Sequence, residues 1–296
     1  MITRRSIRWS TVAYHSWAVM LVMLLYPTVI VALQKKEIFV EIPIAIPTVL
    51  GTALSILLGF RTNSAYDRWW EARKIWGAIV NDARNFARQV LSWIAGDEAA
   101  SLRKEMIYRQ IAWCHTLRHT LRGGDPFDDI ECLLDQDETD MLRRADHRPN
   151  AILLTQTGRL AEAAQRGFID RILILPIEGT LTRFSDHMGQ CERIKTTVFP
   201  TQYSLLLSCI IWLFFILLAP SLAPHLGWVA IPVAFLTGMV FVLIEAIGQF
   251  LEDPFENTVK DTPMTAICRT IEINLREQLG ETELPEKLEP VNGVLM

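Results

Sequence analysis

The sequence has no excess of basic charge: 29 lysines and arginines stand against 33 aspartates and glutamates, for a formal net charge of −4. A nucleic-acid binder that relies on overall positive charge is thereby excluded. Five cysteines, Cys114, Cys132, Cys191, Cys209 and Cys268, lie far apart and form no CxxC pair. An odd, scattered set builds neither a disulfide framework nor a zinc ribbon, so they read as reduced and mostly buried thiols. No Gly-rich phosphate loop, GxSxG elbow or HExxH is present, and the chain is not expected to be an enzyme. Proline is missing from Gly51 through Asp125, which permits very long helices.

The most informative absence is charge itself. None occurs from Ser16 to Leu33 or from Ile42 to Phe60, and none between Lys195 and Glu245. At about 1.5 Å per residue, each of the first two stretches can cross a bilayer core of about 30 Å as a helix. The third is too long for one crossing. Pro220, Pro224 and Gly227 supply breakers for a turn, giving passes over 203–221 and 228–249. Four crossings place both termini on one side. Arg4, Arg5 and Arg8 precede the first span, and Arg61, Arg68, Arg73, Lys74, Arg84 and Arg88 follow the second. The opposite side receives Lys35 and Lys36, matched by Glu37 and Glu41, and His225. This bias makes both termini cytoplasmic. A cleaved signal peptide does not fit, because the first stretch is long and bulky with no small-residue cleavage site before Gln34.

The expected fold is therefore all-α: four transmembrane helices and a helical cytoplasmic domain, with the second span continuing as a long helix into the cytosol. The divisions are 1–60 for the first two spans, 61–200 for the cytoplasmic domain, 201–250 for the last two spans and 251–296 for a cytoplasmic C-terminal segment. Trp69, Trp70, Ile75, Trp76, Ile79 and Val80 recur at helical spacing. Further helices are expected over 101–122, 151–167 and 170–194, with 135–150 a charged connection.

Thr52, Ile56 and Phe60 fall at i, i+4 and i+8 on one face of the second span. On a lone helix such a stripe is packing. On several copies around an axis it becomes stacked apolar rings that gate by dewetting. Gly51, Ala53, Ser55 and Gly59 would let neighbouring helices approach closely. Glu245 is the one carboxylate within an apolar span, the first suspect for a proton-coupled transporter, although it sits where it can snorkel or pair. A non-conducting scaffold is a third reading. Cys114, His115 and His119 could place ligands on adjacent helical turns, but without a well-spaced acidic fourth group they read as structural.

At the inner boundary of the second span runs Gly59-Phe60-Arg61-Thr62-Asn63, then Arg68-Trp69-Trp70-Glu71-Ala72-Arg73. The order of Gly59, Arg61, Asn63, Arg68, Trp69, Trp70, Glu71 and Arg73 is more than an aromatic belt needs. It resembles the signature of the bestrophin family, bacterial branch. Cys191-Glu192-Arg193-Ile194-Lys195-Thr196 with Pro200 and Tyr203, the acidic element Glu252-Asp253-Pro254-Phe255-Glu256, and Ala266-Ile267-Cys268 with Ile271-Glu272-Ile273 extend the likeness over nearly the whole chain.

The resemblance implies a homopentameric inner-membrane channel for small ions, in contact with lipid and with no nucleic-acid partner. Its hydrophobic neck would be Thr52, Ile56 and Phe60, with Thr52 smaller than the usual apolar residue, so that the outer ring is wider and wetter. A cytosolic constriction would fall at Ile172, with Leu175 the alternative. The likeness favours chloride and other anions, and a monovalent-cation channel of the same fold remains open. Animal members bind calcium at the acidic element with help from N-terminal backbone. Here Leu251 and Pro254 replace carboxylates, fewer hard oxygen ligands remain, and neither a calcium gate nor any cofactor is expected.

Overall fold

The computed structural model describes residues 9–38, 41–197, 201–259, 261–291 and 294–295; Arg4, Arg5, Arg8 and Pro200 lie outside these. Ten α-helices follow in order: α1 (Trp9–Gln34), α2 (Ala45–Trp93), α3 (Ala100–Arg122), α4 (Phe127–Ile130), α5 (Gln136–Arg144), α6 (Arg148–Gln165), α7 (Arg171–Thr196), α8 (Thr201–Leu226), α9 (Ala230–Glu252) and α10 (Met264–Gln278). No strand occurs among the described residues, and one isolated bridge joins Val291 to Val294. The all-α expectation holds.

The helices gather into two units. The apolar unit holds residues 9–68 and 201–252, hence α1, the first half of α2, α8 and α9; the polar unit holds 69–197 and the chain from Asp253 onward. Among the described residues three stretches are long and apolar enough to cross a membrane: Trp17–Gln34, a window of α2, and Gln202–Glu252, with mean hydropathies of 2.0, 1.4 and 2.5. The last is split into α8 and α9 by a 3-10 turn at Gly227–Val229, where Gly227 takes a φ of 52° that only glycine adopts cheaply.

One expectation is corrected here. Pro220 and Pro224 do not end the third span at 221; both lie inside α8, which runs to Leu226. A proline at 220 cannot donate to the Ile216 carbonyl, which in hydrocarbon would be left costly and bare. The Tyr26 hydroxyl of α1 donates to that oxygen at 2.7 Å, so the helix passes through the proline with its freed acceptor satisfied. Close packing elsewhere in this unit depends on missing side chains. A Cβ on Gly51 would lie 2.8 Å from the Phe214 ring, and one on Gly238 would lie 2.7 Å from Phe215.

In the polar unit the second half of α2 buries Ala72, Trp76, Ile79, Ala83, Phe86 and Val90 against α3, α6, α7 and α10. Trp113 packs 4.9 Å from Phe184, which meets Phe86 edge-on at 6.3 Å. Gly123, at φ 68°, closes α3 in the left-handed cap conformation. The connection expected over 135–150 is instead largely helical. Asp135 caps α5 by accepting from the Glu138 amide at 2.8 Å, and α6 opens at Arg148 with Pro149 in its first turn. α5 is short and charged, so it shows little apolar periodicity. It is held by Leu142 and by Glu138, whose carboxylate takes both arms of the buried Arg109 guanidinium at 2.6 and 2.8 Å.

Candidate ion-conduction surface

α2 begins at Ala45, and Pro47 lies in its first turn, where no intrahelical donor is lost. Its hydroxyls are absorbed by its own backbone: Thr48 donates to Ile44 O at 2.7 Å, Thr52 to Thr48 O at 2.9 Å, and Ser55 to Gly51 O at 2.8 Å. What is left at the surface is largely apolar. Leu54 and Leu58 are buried, while Thr52 is exposed and Ile56 and Phe60 are 57% and 65% exposed. Val49, at 70%, lies seven residues before Ile56 and lengthens the same stripe. Sequence reading passed over Val49, although the spacing would have found it. Beyond Phe60 the exposed positions turn polar with Asn63, Ser64 and Asp67. Gly59 is exposed, and no neighbour lies within 4 Å of where its Cβ would stand.

The signature residues separate into different environments. Arg61 is only 2% exposed; its guanidinium lies 3.0 Å from Glu252 and 3.7 Å from Glu245 of α9. Trp69 and Trp70 stack with centroids 6.2 Å apart. Glu71 accepts from Arg193 at 2.6 Å, and Lys195 donates to Glu256 at 2.5 Å. Within the polar unit, the Cys191–Thr196 string is thus joined by one ion pair to the Trp-Trp-Glu string and by another to Glu256 of the acidic element. Exposed pairs of this kind contribute about 0–1 kcal/mol each, so they set alignment more than stability. Arg73 is half-buried and Arg68 likewise.

On α7, Asp170 caps the helix by accepting from the Ile172 amide at 2.8 Å. Ile172 and Leu175 are 75% and 72% exposed, so exposure does not choose between them as the constriction. Asp186 lies fourteen positions beyond Ile172, about four helical turns along the same exposed side. Arg183 on that side is paired with Asp82 at 3.0 Å and Arg193 with Glu71, whereas Asp186 makes no ion pair among the described residues.

The model of the family described as Bacterial/Fungal Bestrophin protein matches residues 3–277. The chain belongs to the bacterial/fungal bestrophin family. This bestrophin is 33% identical over 243 residues to the voltage-dependent anion channel-forming protein YneE of Escherichia coli K12, covering 82% of this chain and 79% of that one. It is 35% identical over 242 residues to a voltage-dependent anion channel-forming protein of Mesorhizobium japonicum, covering 81% and 76%. Among solved structures, a mutated form of the bacterial bestrophin homologue from Klebsiella pneumoniae superposes with a TM-score of 0.85 at 27% identity, covering 90% of this chain and all of that one. The relatives carry the names of channel-forming proteins, not of enzymes.

In this bestrophin Cys114 and the histidines of α3 are occupied with structure. Cys268 donates its thiol to the Cys114 carbonyl at 3.3 Å. Burial pushes the Cys114 thiol far up and the Cys268 thiol up to about 12, so neither is a thiolate at neutral pH. His115 lies 3.7 Å from Glu272, and His119 lies 2.7 Å from Asp129 beside Arg118. Burial holds the His119 imidazole below its ordinary value although Asp129 works the other way. No group of three or more His, Cys, Asp or Glu arranged for a metal occurs among the described residues.

Proposed function

We propose that the protein is a passive channel for small ions in which several copies, five by resemblance to the family, surround one conduit. It would lie in the inner membrane with both termini cytoplasmic, residues 1–60 and 201–250 forming the spans, 61–200 the cytoplasmic domain and 251–296 the C-terminal segment. Thr52, Ile56 and Phe60 would form the neck, and Ile172 or Leu175 the cytosolic constriction. The observation that carries this reading is the exposed face of α2. On α8 the exposed residues between its ends, Leu205, Leu206, Cys209, Leu213 and Ile216, are mostly large and aliphatic, as lipid demands, with Cys209 the one small exception. On α2, exposed Ile56 and Phe60 alternate with exposed Thr52, Ala53, Ser55 and Gly59. Two large rings separated by small residues suit a stack of narrow and wide levels around water, where the narrow ones dewet. Thr52 makes the outer level the widest.

Anions are the first reading for the permeant ion, because the relatives are named as anion channel-forming proteins. Asp186 favours the second, a monovalent-cation channel: if the Ile172 side of α7 faces the conduit, each copy adds one unpaired negative charge, and a ring of such charges enriches cations. Glu245 is not poised as a transporter's proton carrier, since Arg61, Ser208 and Gln249 all engage it. Nor is Glu252 a spare calcium ligand while Arg61 holds it.

Liposomes carrying the purified protein in asymmetric potassium chloride test this reading. A conductance whose reversal potential follows the chloride gradient supports the anion channel, and one that follows potassium supports the cation reading. A particle of one subunit in detergent, or no flux, overturns both.

A further inference from the structure

Arg61 follows Phe60 directly in the chain, yet its side chain is buried where that of Phe60 is exposed. The α9 surface that receives it carries Glu245, Gly248 and Glu252, spaced three and four residues apart and therefore on one helix face. Gly248 makes the approach possible: a Cβ there would already touch Arg61, 3.6 Å from Nε, and Thr62, 3.7 Å from Oγ1. Glu252 meets one arm of the guanidinium at 3.0 Å and Glu245 the other at 3.7 Å. Glu245 is itself fixed by Ser208 of α8 and by Gln249 one turn along α9. The clasp thus lies wholly within the apolar unit and ties α2 to a carboxylate pair with its own supports.

The rest of α2's buried side in this unit is aliphatic, chiefly Leu54 and Leu58 packed among Leu207, Ile211 and Phe215. Aliphatic contacts of that kind discriminate less sharply between neighbouring registers. A buried charge with its partners discriminates sharply, because turning it away strands a fully buried guanidinium and leaves two largely buried carboxylates without their counter-charge. Successive side chains on a helix point about 100° apart, so holding Arg61 also holds Phe60, and through it Ile56 and Thr52.

We propose that Arg61 is the positioning residue of the neck: its clasp by Glu245 and Glu252 fixes the turn of α2 about its own axis and so determines which side chains face the conduit. The inference rests on the neck reading above and adds the element that enforces it.

The test uses the full chain in liposomes, with the exposed Cys132 and Cys209 replaced by serine and Phe60→Cys introduced. A small water-soluble thiol reagent should modify Phe60→Cys and change the current. Adding Arg61→Gln, Glu245→Gln or Glu252→Gln should slow that reaction at least tenfold and make Leu57→Cys reactive instead. Exchanging the charges, Arg61→Glu with Glu252→Arg, should restore the original pattern, which a merely space-filling role would not do. If Arg61→Gln fails to assemble, the two isosteric glutamine variants carry the test. Unchanged rates in every clasp variant overturn the positioning role and leave the neck standing, as does slowing that the exchange does not reverse. A Phe60→Cys that never reacts, together with unaltered conductance in Phe60→Ala, removes the neck and this inference with it.

Discussion

The two halves of α2 are inside out with respect to each other. Before Trp69 the helix exposes Val49, Ile56 and Phe60 and buries Arg61; after it, the helix buries Trp76, Ile79, Phe86 and Val90 and exposes Lys74, Asn81, Arg84 and Arg88. Backbone and helical period are the same throughout, so the inversion reflects two different surroundings. In the second half, burial of apolar area stabilises a water-facing core. In the first, apolar side chains gain little from leaving hydrocarbon, and the buried positions hold Leu54, Leu58 and Ala65 together with one ion cluster at Arg61.

That contrast is broken most directly in the polar half. Trp76 is fully buried, and Trp76→Ala should cost about 3–5 kcal/mol, the usual range for emptying a core aromatic site. A thermal melt of the detergent-solubilised protein should show a fall of many degrees. Only a small fall would mean that this half is not held by its own core. Next comes the buried pair on α5. Glu138→Ala leaves the Arg109 guanidinium without its counter-charge, 2% exposed, and should cost about 3 kcal/mol, as broken buried pairs do.

A smaller effect follows from α10. Burial works to raise the Glu272 carboxyl, but the His115 imidazole 3.7 Å away and the charges of Arg276 and Arg269 outweigh it and hold it below its ordinary value. Asp129 is likewise lowered, with His119 and Arg118 outweighing burial. A carboxyl depressed on folding contributes stability that is complete above its unfolded pKa and is lost as pH falls through the folded one. The melting temperature should therefore hold near neutrality and drop below about pH 4.5, the ordinary carboxylate range. Glu272→Gln should flatten that drop, and an unchanged acid limb would assign the loss to other groups.

How far the sequence foretold this differs by half. Charge-free stretches and missing prolines announced α1, the unbroken α2 and the paired α8 and α9, because hydrophobicity and backbone chemistry are local properties. The Thr52, Ile56 and Phe60 stripe was visible for the same reason. The endpoint of α8 was not, since it depends on Tyr26, 190 positions from Ile216, supplying a donor. α5 was missed because its hold comes from Arg109 and not from an apolar face. Nor could spacing alone show that Arg61, read as part of a motif at the membrane boundary, is buried between Glu245 and Glu252, although a resident acid in an apolar span was a sign that some cation must meet it.

The smallest expected effect on stability falls where the functional effect is greatest. Phe60→Ala removes as large a ring as many core mutations do, yet at 65% exposure the side chain has few partners to lose. The expected cost is under about 1 kcal/mol, typical of exposed sites, and well below that of Trp76→Ala on the same helix. Conductance should rise severalfold, because a dewetted level lined by alanine is wider and admits water sooner. If these residues form the proposed neck, Ile56→Ala should behave alike, and Thr52→Ala should change little, since the level at Thr52 would already be open. Melts and single-channel currents on the same preparations separate the two outcomes. If Phe60→Ala instead costs as much as Trp76→Ala and leaves the current unaltered, that face is packed against protein in the assembly, and the inversion between the halves of α2 is a property of the single chain alone.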